Sequence, residues 1–126
     1  MGTIDSYFQE ISGAFINSPV VERYRIRERL VRQREGFIRI RSWLVNEDLF
    51  EAFEFITLEE EAIVLQTYRL HWQDKTGRLI RRWDNAPHCP ELESFPHHVH
   101  TSEGKAEPSR PIGIKEVLRL IGEEIR

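Results

Sequence analysis

The spacing of hydrophobic residues predicts a helix at each end of the chain. In residues 3–16, apolar side chains recur every three or four positions behind the capping residue Thr3, and this pattern stops before Pro19. Residues 112–126 follow the same spacing, with charged residues between the apolar ones. Each predicted helix therefore has an apolar face that needs a partner, and a sheet is the only sizeable partner available.

Between the helices the hydrophobic pattern changes to a period of two, which is typical of strands. The predicted strands are residues 20–30, 37–45, 49–57, 62–72 and 78–84, and short polar turns join them. Residues 101–111 are polar and are predicted to form an exposed loop. We therefore predict a single α+β domain over residues 1–126, with an N-terminal helix, an antiparallel meander sheet of about five strands, a long loop rich in histidine and proline, and a C-terminal helix.

Arginines recur at alternate positions within the first two predicted strands. Arg23, Arg25, Arg27 and Arg29 alternate with Tyr24, Ile26 and Leu30, and Arg39 and Arg41 alternate with Ile38 and Ile40. Neighbouring strands would therefore place like charges side by side, which costs free energy. Either acidic residues of the next strand interleave with the arginines, or this face binds a polyanion, and the sequence leaves both outcomes open.

Composition and charge indicate the cellular compartment of the protein and the kind of ligand that it binds. The net charge is −3, and arginine supplies 15 of the 18 Lys and Arg residues. Its planar guanidinium is the side-chain group that best grips phosphate or carboxylate. The N-terminus has no signal-peptide pattern and no apolar run is long enough to span a membrane, so we expect a cytoplasmic protein. The single cysteine, Cys89, excludes an internal disulfide.

Residues 82–100 differ from every other segment because they collect four of the five histidines and three of the six prolines. Histidine titrates near neutral pH, so it can donate or accept a proton or bind a metal ion. Proline restricts the backbone and would limit the movement of the imidazoles. The candidate catalytic residues of this segment are Arg82, Asp84, His88, His97, His98 and His100.

Metal binding is one interpretation of these histidines. His98 and His100 are two residues apart, so an extended chain would direct both imidazoles to the same side. His88, Asp84 or Glu91 would then complete the ligand set. Such a pair alone is a weak signal, and no HExxH or cysteine-pair motif supports it, so we expect no metal and no cofactor.

The preferred interpretation is metal-free cleavage of RNA. One histidine would accept the proton of a 2′-hydroxyl, and another would protonate the leaving oxygen. Aromatic residues such as Phe37, Trp43 and Trp83 would stack on unpaired bases. The arginines expected to hold the phosphate backbone are Arg25, Arg27, Arg39, Arg41, Arg69 and Arg81.

A purely structural interpretation accounts for some of the same residues. A long loop must satisfy its own polar groups, and Asp84-Asn85 is typical of a turn. By the same reasoning Trp83 is predicted to lie in the core and Cys89 to be unreactive. His71, alone on its strand, is predicted to be a surface residue rather than a ligand.

Three motifs resemble those shared by TumE-like proteins. They are Tyr68-Arg-Leu-His-Trp-Gln-Asp74, Arg81-Arg-Trp-Asp-Asn-Ala-Pro-His88 and Phe95-Pro-His-His-Val-His100, and the resemblance runs from about residue 20 into the C-terminal helix. It implies a prokaryotic toxin of a type II toxin–antitoxin module, neutralised by direct binding of a helix-turn-helix antitoxin. The matching positions carried over as candidate site residues are Arg82, Asp84, Asn85, His88, Pro96, His97, His98 and His100. Relatives often have another residue in place of Cys89, so no role is assigned to its thiol.

We therefore predict a toxin that acts on RNA by histidine-dependent, metal-independent phosphodiester cleavage. An alternative from a different class is a non-enzymatic binding module, as a monomer or a homodimer. In that alternative the arginine-rich sheet face binds nucleic acid or an acidic protein, and the histidine loop is scaffolding.

Overall fold

The computed structural model describes residues 3–125 as a helix, seven strands and a second helix, in that order. The elements are α1 (Ile4–Asn17), β1 (Val21–Val31), β2 (Glu35–Leu44), β3 (Leu49–Glu59), β4 (Ala62–Gln73), β5 (Leu79–Asp84), β6 (His98–Thr101), β7 (Ala106–Pro108) and α2 (Ile114–Glu124). The first two residues of the predicted domain and Arg126 of the predicted C-terminal helix lie outside the described residues. Within residues 3–125, neither helix has the length and apolar character needed to cross a membrane.

The seven strands form one antiparallel sheet in which neighbours in sequence are neighbours in space, so the sheet is a meander. The predicted α+β class and both predicted helices are confirmed. The predicted count of about five strands is wrong, because the sheet also includes β6 and β7, which have only four and three residues. Strands this short do not show a period. β7 lies in the segment predicted to be an exposed loop.

Both helices pack on one face of the sheet, called here the helix face, and the hydrophobic core lies between the two layers. Phe8 and Ile11 of α1 and Ile38 and Ile40 of β2 are all 0% exposed. Burial of a side chain of this size contributes about 1.5–3 kcal/mol, which helps to offset the conformational entropy lost on folding. Thr3 caps α1 as expected, since its side chain accepts the backbone N–H of Ser6.

A buried carboxylate connects both helices to the helix face. Glu54 of β3 is 0% exposed and accepts hydrogen bonds from the Tyr7 hydroxyl in α1 and from the N–H of Ile114, the first residue of α2. Burial raises the pKa of Glu54 even though both hydrogen bonds favour the charged form. Burial and the neighbouring Glu54 carboxylate also raise the pKa of Tyr7.

The predicted row of four arginines on β1 is wrong, because a β-bulge interrupts the period of two. The pairing of β1 with β2 skips Arg27, so every later residue of β1 changes face. Arg29 therefore lies on the helix face, where it pairs with Asp5 of α1. Glu28 takes a place on the opposite face instead, beside Arg39.

Candidate functional site

The face of the sheet opposite the helices, called here the open face, brings most of the predicted site residues together. Strand pairing aligns the side chains of neighbouring strands in rows that run across a sheet. One row consists of Glu28, Arg39, Phe53, Arg69, Asp84 and His98, and the adjacent row consists of Arg25, Arg41, Glu51, His71, Arg82 and His100. Both rows therefore run from the arginines of β1 and β2 to the histidines of β6.

At the β1–β3 end of these rows, acidic residues interleave with the arginines. Arg39 Nε lies 2.8 Å from Glu28 Oε1, and Arg41 Nη2 lies 2.8 Å from Glu51 Oε2. The guanidinium carbon of Arg39 also lies 4.6 Å from the centroid of the Phe53 ring. Of the two outcomes that the sequence left open, interleaving thus applies to Arg39 and Arg41.

Three of the predicted nucleic-acid-binding arginines, Arg25, Arg27 and Arg69, make no ion pair among residues 3–125. All three are exposed. Arg69 lies between Phe53 and Asp84 in its row, next to the histidines. These guanidinium groups can meet an anion without first losing an acidic partner.

At the β5–β6 end, three histidines and one aspartate form a compact group, called here the histidine cluster. Asp84 of β5, His98 and His100 of β6, and His88 of the connecting loop each offer one ligand atom, and these four atoms lie within 4.8 Å of one another. The Nε2 atoms of His88 and His100 are 3.3 Å apart, and the two rings stack with centroids 5.4 Å apart. The meander and the return of the loop therefore assemble residues that are up to 16 positions apart in sequence.

Asp84 lies at the centre of the histidine cluster and is 4% exposed. Its Oδ1 atom accepts the N–H of Ala86 at 3.0 Å and lies 2.9 Å from His98 Nε2. Its Oδ2 atom lies 3.4 Å from Arg82 Nε and 3.6 Å from His100 Nε2. The buried carboxylate is thus surrounded by a guanidinium, a backbone N–H and two imidazoles.

The two ring nitrogens of His98, a residue that is 1% exposed, have different surroundings. Nδ1 lies 2.8 Å from the carbonyl oxygen of Pro96. A carbonyl oxygen only accepts hydrogen bonds, so this contact assigns a proton to Nδ1 and leaves a lone pair on Nε2 of the neutral ring. Nε2 is close to Asp84 Oδ1 but is not aligned for a hydrogen bond, and it has no other partner among the described residues.

The surroundings of His100 favour its neutral form. Burial lowers the pKa of His100, the Arg82 cation lowers it further, and the Asp84 carboxylate only partly opposes these effects. A neutral imidazole has a free lone pair that can accept a proton or bind a metal ion.

A groove of about 340 Å³ opens beside the histidine cluster on the open face. Its lining includes Arg39, Phe53, Arg69, Arg82, Asp84 and His88. A larger cavity of about 420 Å³ lies between α1 and α2, but its described lining contains no histidine. The groove on the open face is therefore the place where a ligand meets both the arginines and the histidines.

Comparison with known families identifies the chain. The family model described as Toxin TumE matches residues 11–126, which is nearly the whole sequence. The chain belongs to the TumE toxin family. This membership confirms the resemblance seen in the three motifs, and it gives the chain a toxin role and an antitoxin as its partner. No curated protein and no solved structure matches the chain.

His97, one of the residues carried over from the TumE motifs, lies outside the histidine cluster. Its Nδ1 atom is 2.8 Å from the Tyr68 hydroxyl oxygen, and the two rings stack with centroids 5.8 Å apart. Burial lowers the pKa of His97, and His98 adds to the effect. Burial, with the charge of Asp84, raises the pKa of Tyr68 to about 12. The structure therefore separates His97 from the other three candidate histidines.

Arg81 of this TumE chain lies on the helix face rather than on the open face. Its guanidinium carbon is 5.2 Å from the Trp72 ring centroid and 5.3 Å from the Trp83 ring centroid, and it forms an ion pair with Glu124 of α2. The period of two along β5 places Arg81 and Arg82 on opposite faces of the sheet. Arg81 thus connects the sheet to α2.

Several residues of the TumE motifs have a structural role in the fold. Asn85 accepts the N–H of Tyr68 and donates to the carbonyl of Gln66. It therefore holds the start of the histidine loop, the segment between β5 and β6, against β4. Trp83 is 4% exposed and lies in the core, which confirms the structural interpretation and contradicts the prediction that it stacks on a base. Cys89 is buried, and burial raises the pKa of its thiol, which agrees with the prediction that it is unreactive.

Two side chains of the open face were missed as site residues. His71 lies half-buried between Glu51 and Arg82 in its row, and its Nδ1 atom is buried without a partner among the described residues. Phe53, which lies within the predicted strand 49–57, lines the groove. The signal that could have identified His71 is the alternation along β4, which places it on the same side as Arg69.

Proposed function

We propose that this TumE-family toxin acts on RNA and cleaves its phosphodiester backbone at the histidine cluster. The observation that carries the proposal is the position of this cluster at the end of two rows of side chains that also carry arginines. Cleavage of a phosphodiester requires a positive surface that holds it and groups that move protons or polarise oxygen. The open face offers both within one groove.

The arginine rows support a path for single-stranded RNA. Neighbouring strands are about 4.8 Å apart, so the path from β1 to β6 is roughly 24 Å long, enough for several nucleotides. Arg25 and Arg69 can bind phosphates directly, whereas Arg39 and Arg41 must first exchange their glutamate partners. The half-buried ring of Phe53 can stack on a base.

The reactive end of this path combines Arg82 with the imidazoles. Arg82 would stabilise the charge that develops on the phosphate. In the metal-free scheme, one histidine would accept the proton of the 2′-hydroxyl and another would protonate the leaving oxygen. We assign these two roles to His88 and His100, the two cluster imidazoles that are not fully buried. In the other scheme the imidazoles would hold a metal ion, which would supply Lewis acidity toward water or the phosphate. Both schemes depend on the same residues, so loss of the histidine cluster tests cleavage in either case.

The proposal also specifies the partner and the place of action. The antitoxin would be a helix-turn-helix protein that neutralises the toxin by direct binding, as the resemblance of the motifs implies. RNA as the target would place the action in the cytoplasm, where the toxin works as a monomer or a homodimer.

Induced expression in a bacterial host, with and without the antitoxin gene, tests the proposal. We expect growth arrest and loss of intact RNA only without the antitoxin. His88→Ala should abolish both effects, because it removes an exposed member of the cluster and leaves the core intact. His97→Gln is the matched control, since it also removes an imidazole but keeps a side chain that can bond to the Tyr68 hydroxyl.

Two results would contradict cleavage. The first is growth arrest while RNA stays intact. The second is a His88→Ala variant that remains toxic while Arg25→Ala and Arg69→Ala variants lose toxicity, which would make the chain a non-enzymatic binding module. Far-UV circular dichroism of each purified variant shows whether the fold is retained.

A further inference from the structure

We propose that the histidine cluster is a mononuclear zinc site whose ligands are Asp84, His88, His98 and His100. The cluster offers one carboxylate oxygen and three imidazole nitrogens. Imidazole-rich sets suit zinc and its transition-metal neighbours, whereas Mg²⁺ and Ca²⁺ prefer sites made of oxygen alone. Zinc binding does not rest on the cleavage proposed above; only the role of the ion in that cleavage does.

The distances between the donor atoms fit a tetrahedral ion. Zinc with ligands at about 2.0–2.1 Å has donor atoms about 3.4 Å apart along each edge of the tetrahedron. His88 Nε2 and His100 Nε2 are 3.3 Å apart, close to this value. The Asp84 carboxylate is near both other imidazoles, but through different oxygens: Oδ2 lies 3.6 Å from His100 Nε2 and Oδ1 lies 2.9 Å from His98 Nε2, so only one of these two contacts is an edge of the site. The remaining separations stay within 4.8 Å, so small side-chain shifts complete the site.

His98 provides an independent argument for a cation. Its Nδ1 atom is engaged with the Pro96 carbonyl, so Nε2 is the ring nitrogen left for a ligand, and it lies 2.9 Å from Asp84 Oδ1. Nε2 is buried without a hydrogen-bond partner among the described residues, and His98 is 1% exposed, so this polar atom carries an uncompensated desolvation cost. A zinc ion bound to both atoms would remove it.

The groups around the cluster match the outer shell of a zinc site. A histidine that binds zinc usually donates its other N–H to a carbonyl or carboxylate, and a carboxylate ligand is itself hydrogen-bonded. His98 has the Pro96 carbonyl in this position, and Asp84 Oδ1 accepts the N–H of Ala86. The positive charge of Arg82 would repel a zinc ion. Its Nε atom, however, contacts Asp84 Oδ2, which leaves Oδ1 to bind the ion. The exposed His88 gives the ion a route from solvent.

A bound zinc would join the loop that carries His88 to the strands that carry the other three ligands. It would therefore stabilise the histidine loop as well as the site. On the proposed function, it would also polarise a phosphate oxygen or a water molecule beside Arg82, and His88 is the ligand that a substrate could most easily replace.

Zinc titration of the purified full-length chain, after treatment with a chelator and with no RNA present, tests the proposal. We expect one zinc ion per chain with a Kd below about 1 µM and a Tm that rises on zinc binding. Co²⁺ in place of zinc should give the visible absorption of a four-coordinate tetrahedral site. His88→Ala and His100→Ala should each raise the Kd by at least about 100-fold. His97→Gln, which lies outside the cluster, should leave the Kd within about twofold.

The proposal is overturned if the parent chain takes up no stoichiometric zinc at about 100 µM free ion, or if the two cluster variants bind as tightly as the parent. In the first case the cluster is a proton-transfer site. RNA cleavage is measured separately, with and without chelator. If the protein still cleaves RNA in the presence of chelator, the reaction needs no metal ion, and the proposed function is unaffected.

Discussion

Glu54 and Asp84 are two buried carboxylates of one sheet, and they lie on opposite faces. Glu54 accepts hydrogen bonds from the Tyr7 hydroxyl and the Ile114 N–H, two groups that keep their protons at neutral pH. Asp84 is surrounded by Arg82 and by imidazoles, which gain and lose protons near neutral pH. Burial alone therefore does not show whether a carboxylate has a structural or a chemical role in this fold. The groups that surround the carboxylate do.

We expect substitution of Asp84 to affect the rate of RNA cleavage and substitution of Glu54 to affect stability. Asp84→Asn should lower the rate of RNA cleavage by about 10²–10⁴-fold, because an amide supplies no charge to orient the imidazoles or to bind an ion. The amide oxygen can still accept the N–H of Ala86, so the unfolding free energy should change little. Cleavage of a fluorescent RNA by the purified protein, with urea unfolding as the control, measures both quantities. Equal cleavage rates for variant and parent would contradict the role given to Asp84.

Glu54→Ala should act on stability instead. The substitution leaves the Tyr7 hydroxyl and the Ile114 N–H without an acceptor at about 1–3 kcal/mol each, so the unfolding free energy should fall by about 2–6 kcal/mol. Urea denaturation followed by circular dichroism measures this change. At a temperature where the variant is folded, its cleavage rate should match that of the parent. A large loss of cleavage in the folded variant would contradict the purely structural role given to Glu54.

The pH dependence of stability sharpens the same contrast. Burial raises the pKa of Glu54 in the folded state above the value of about 4.3 in an unfolded chain. The folded chain therefore holds this proton more tightly, and Glu54 contributes stability at low pH that is lost as pH rises through its folded-state pKa. Glu54→Gln does not titrate, so its unfolding free energy relative to the parent should increase as pH rises above about 4. A difference between variant and parent that is constant with pH would contradict the raised pKa.

Arg69 and Arg81 form a matched pair for the two faces. Arg69→Ala should weaken RNA binding and reduce the slope of log affinity against log salt by about 0.7, the value for one phosphate contact with a single strand. Arg81→Ala should leave this slope unchanged and lower the unfolding free energy by about 1 kcal/mol, because Arg81 contacts two tryptophans and α2. Fluorescence anisotropy over a range of NaCl concentrations separates the two residues. Equal slopes for both variants would mean that the open face is not the RNA surface.

Cys89→Ala should have the smallest effect. The Cys89 thiol is buried within the histidine loop, and burial raises its pKa, which makes it a poor nucleophile. We expect cleavage within about twofold of the parent and a stability change of about 1 kcal/mol or less. A large loss of activity or of zinc would show that the ligand set has been assigned wrongly.

Much of the fold follows from patterns that persist over ten or more residues. The strands β1 to β4 and both helices are long enough for their periods to identify them. The bulge at Arg27 could not be predicted, because the arginines continue to alternate in the sequence while the pairing with β2 skips one residue. β6 was missed for a different reason, since four residues within a proline-rich loop become a strand only by pairing with β5.

The site was predictable in composition but not in geometry. Alternation along an extended chain correctly groups His98 with His100 and sets His97 apart. The position of His88 depends on the path of the loop back over the sheet, which no local pattern encodes. The contact between His98 Nδ1 and the Pro96 carbonyl, on which the zinc proposal depends, is likewise a product of tertiary structure.

The most direct test of the central claim is the ratio of RNA cleavage rates for purified His100→Ala and His97→Gln. The two variants each remove one imidazole, one inside the histidine cluster and one beside Tyr68. If the cluster is the reactive centre, His100→Ala should cleave at least about 100-fold more slowly than His97→Gln. Equal rates, or a slower His97→Gln, would contradict the assignment of the cluster as the site of the toxin's chemistry.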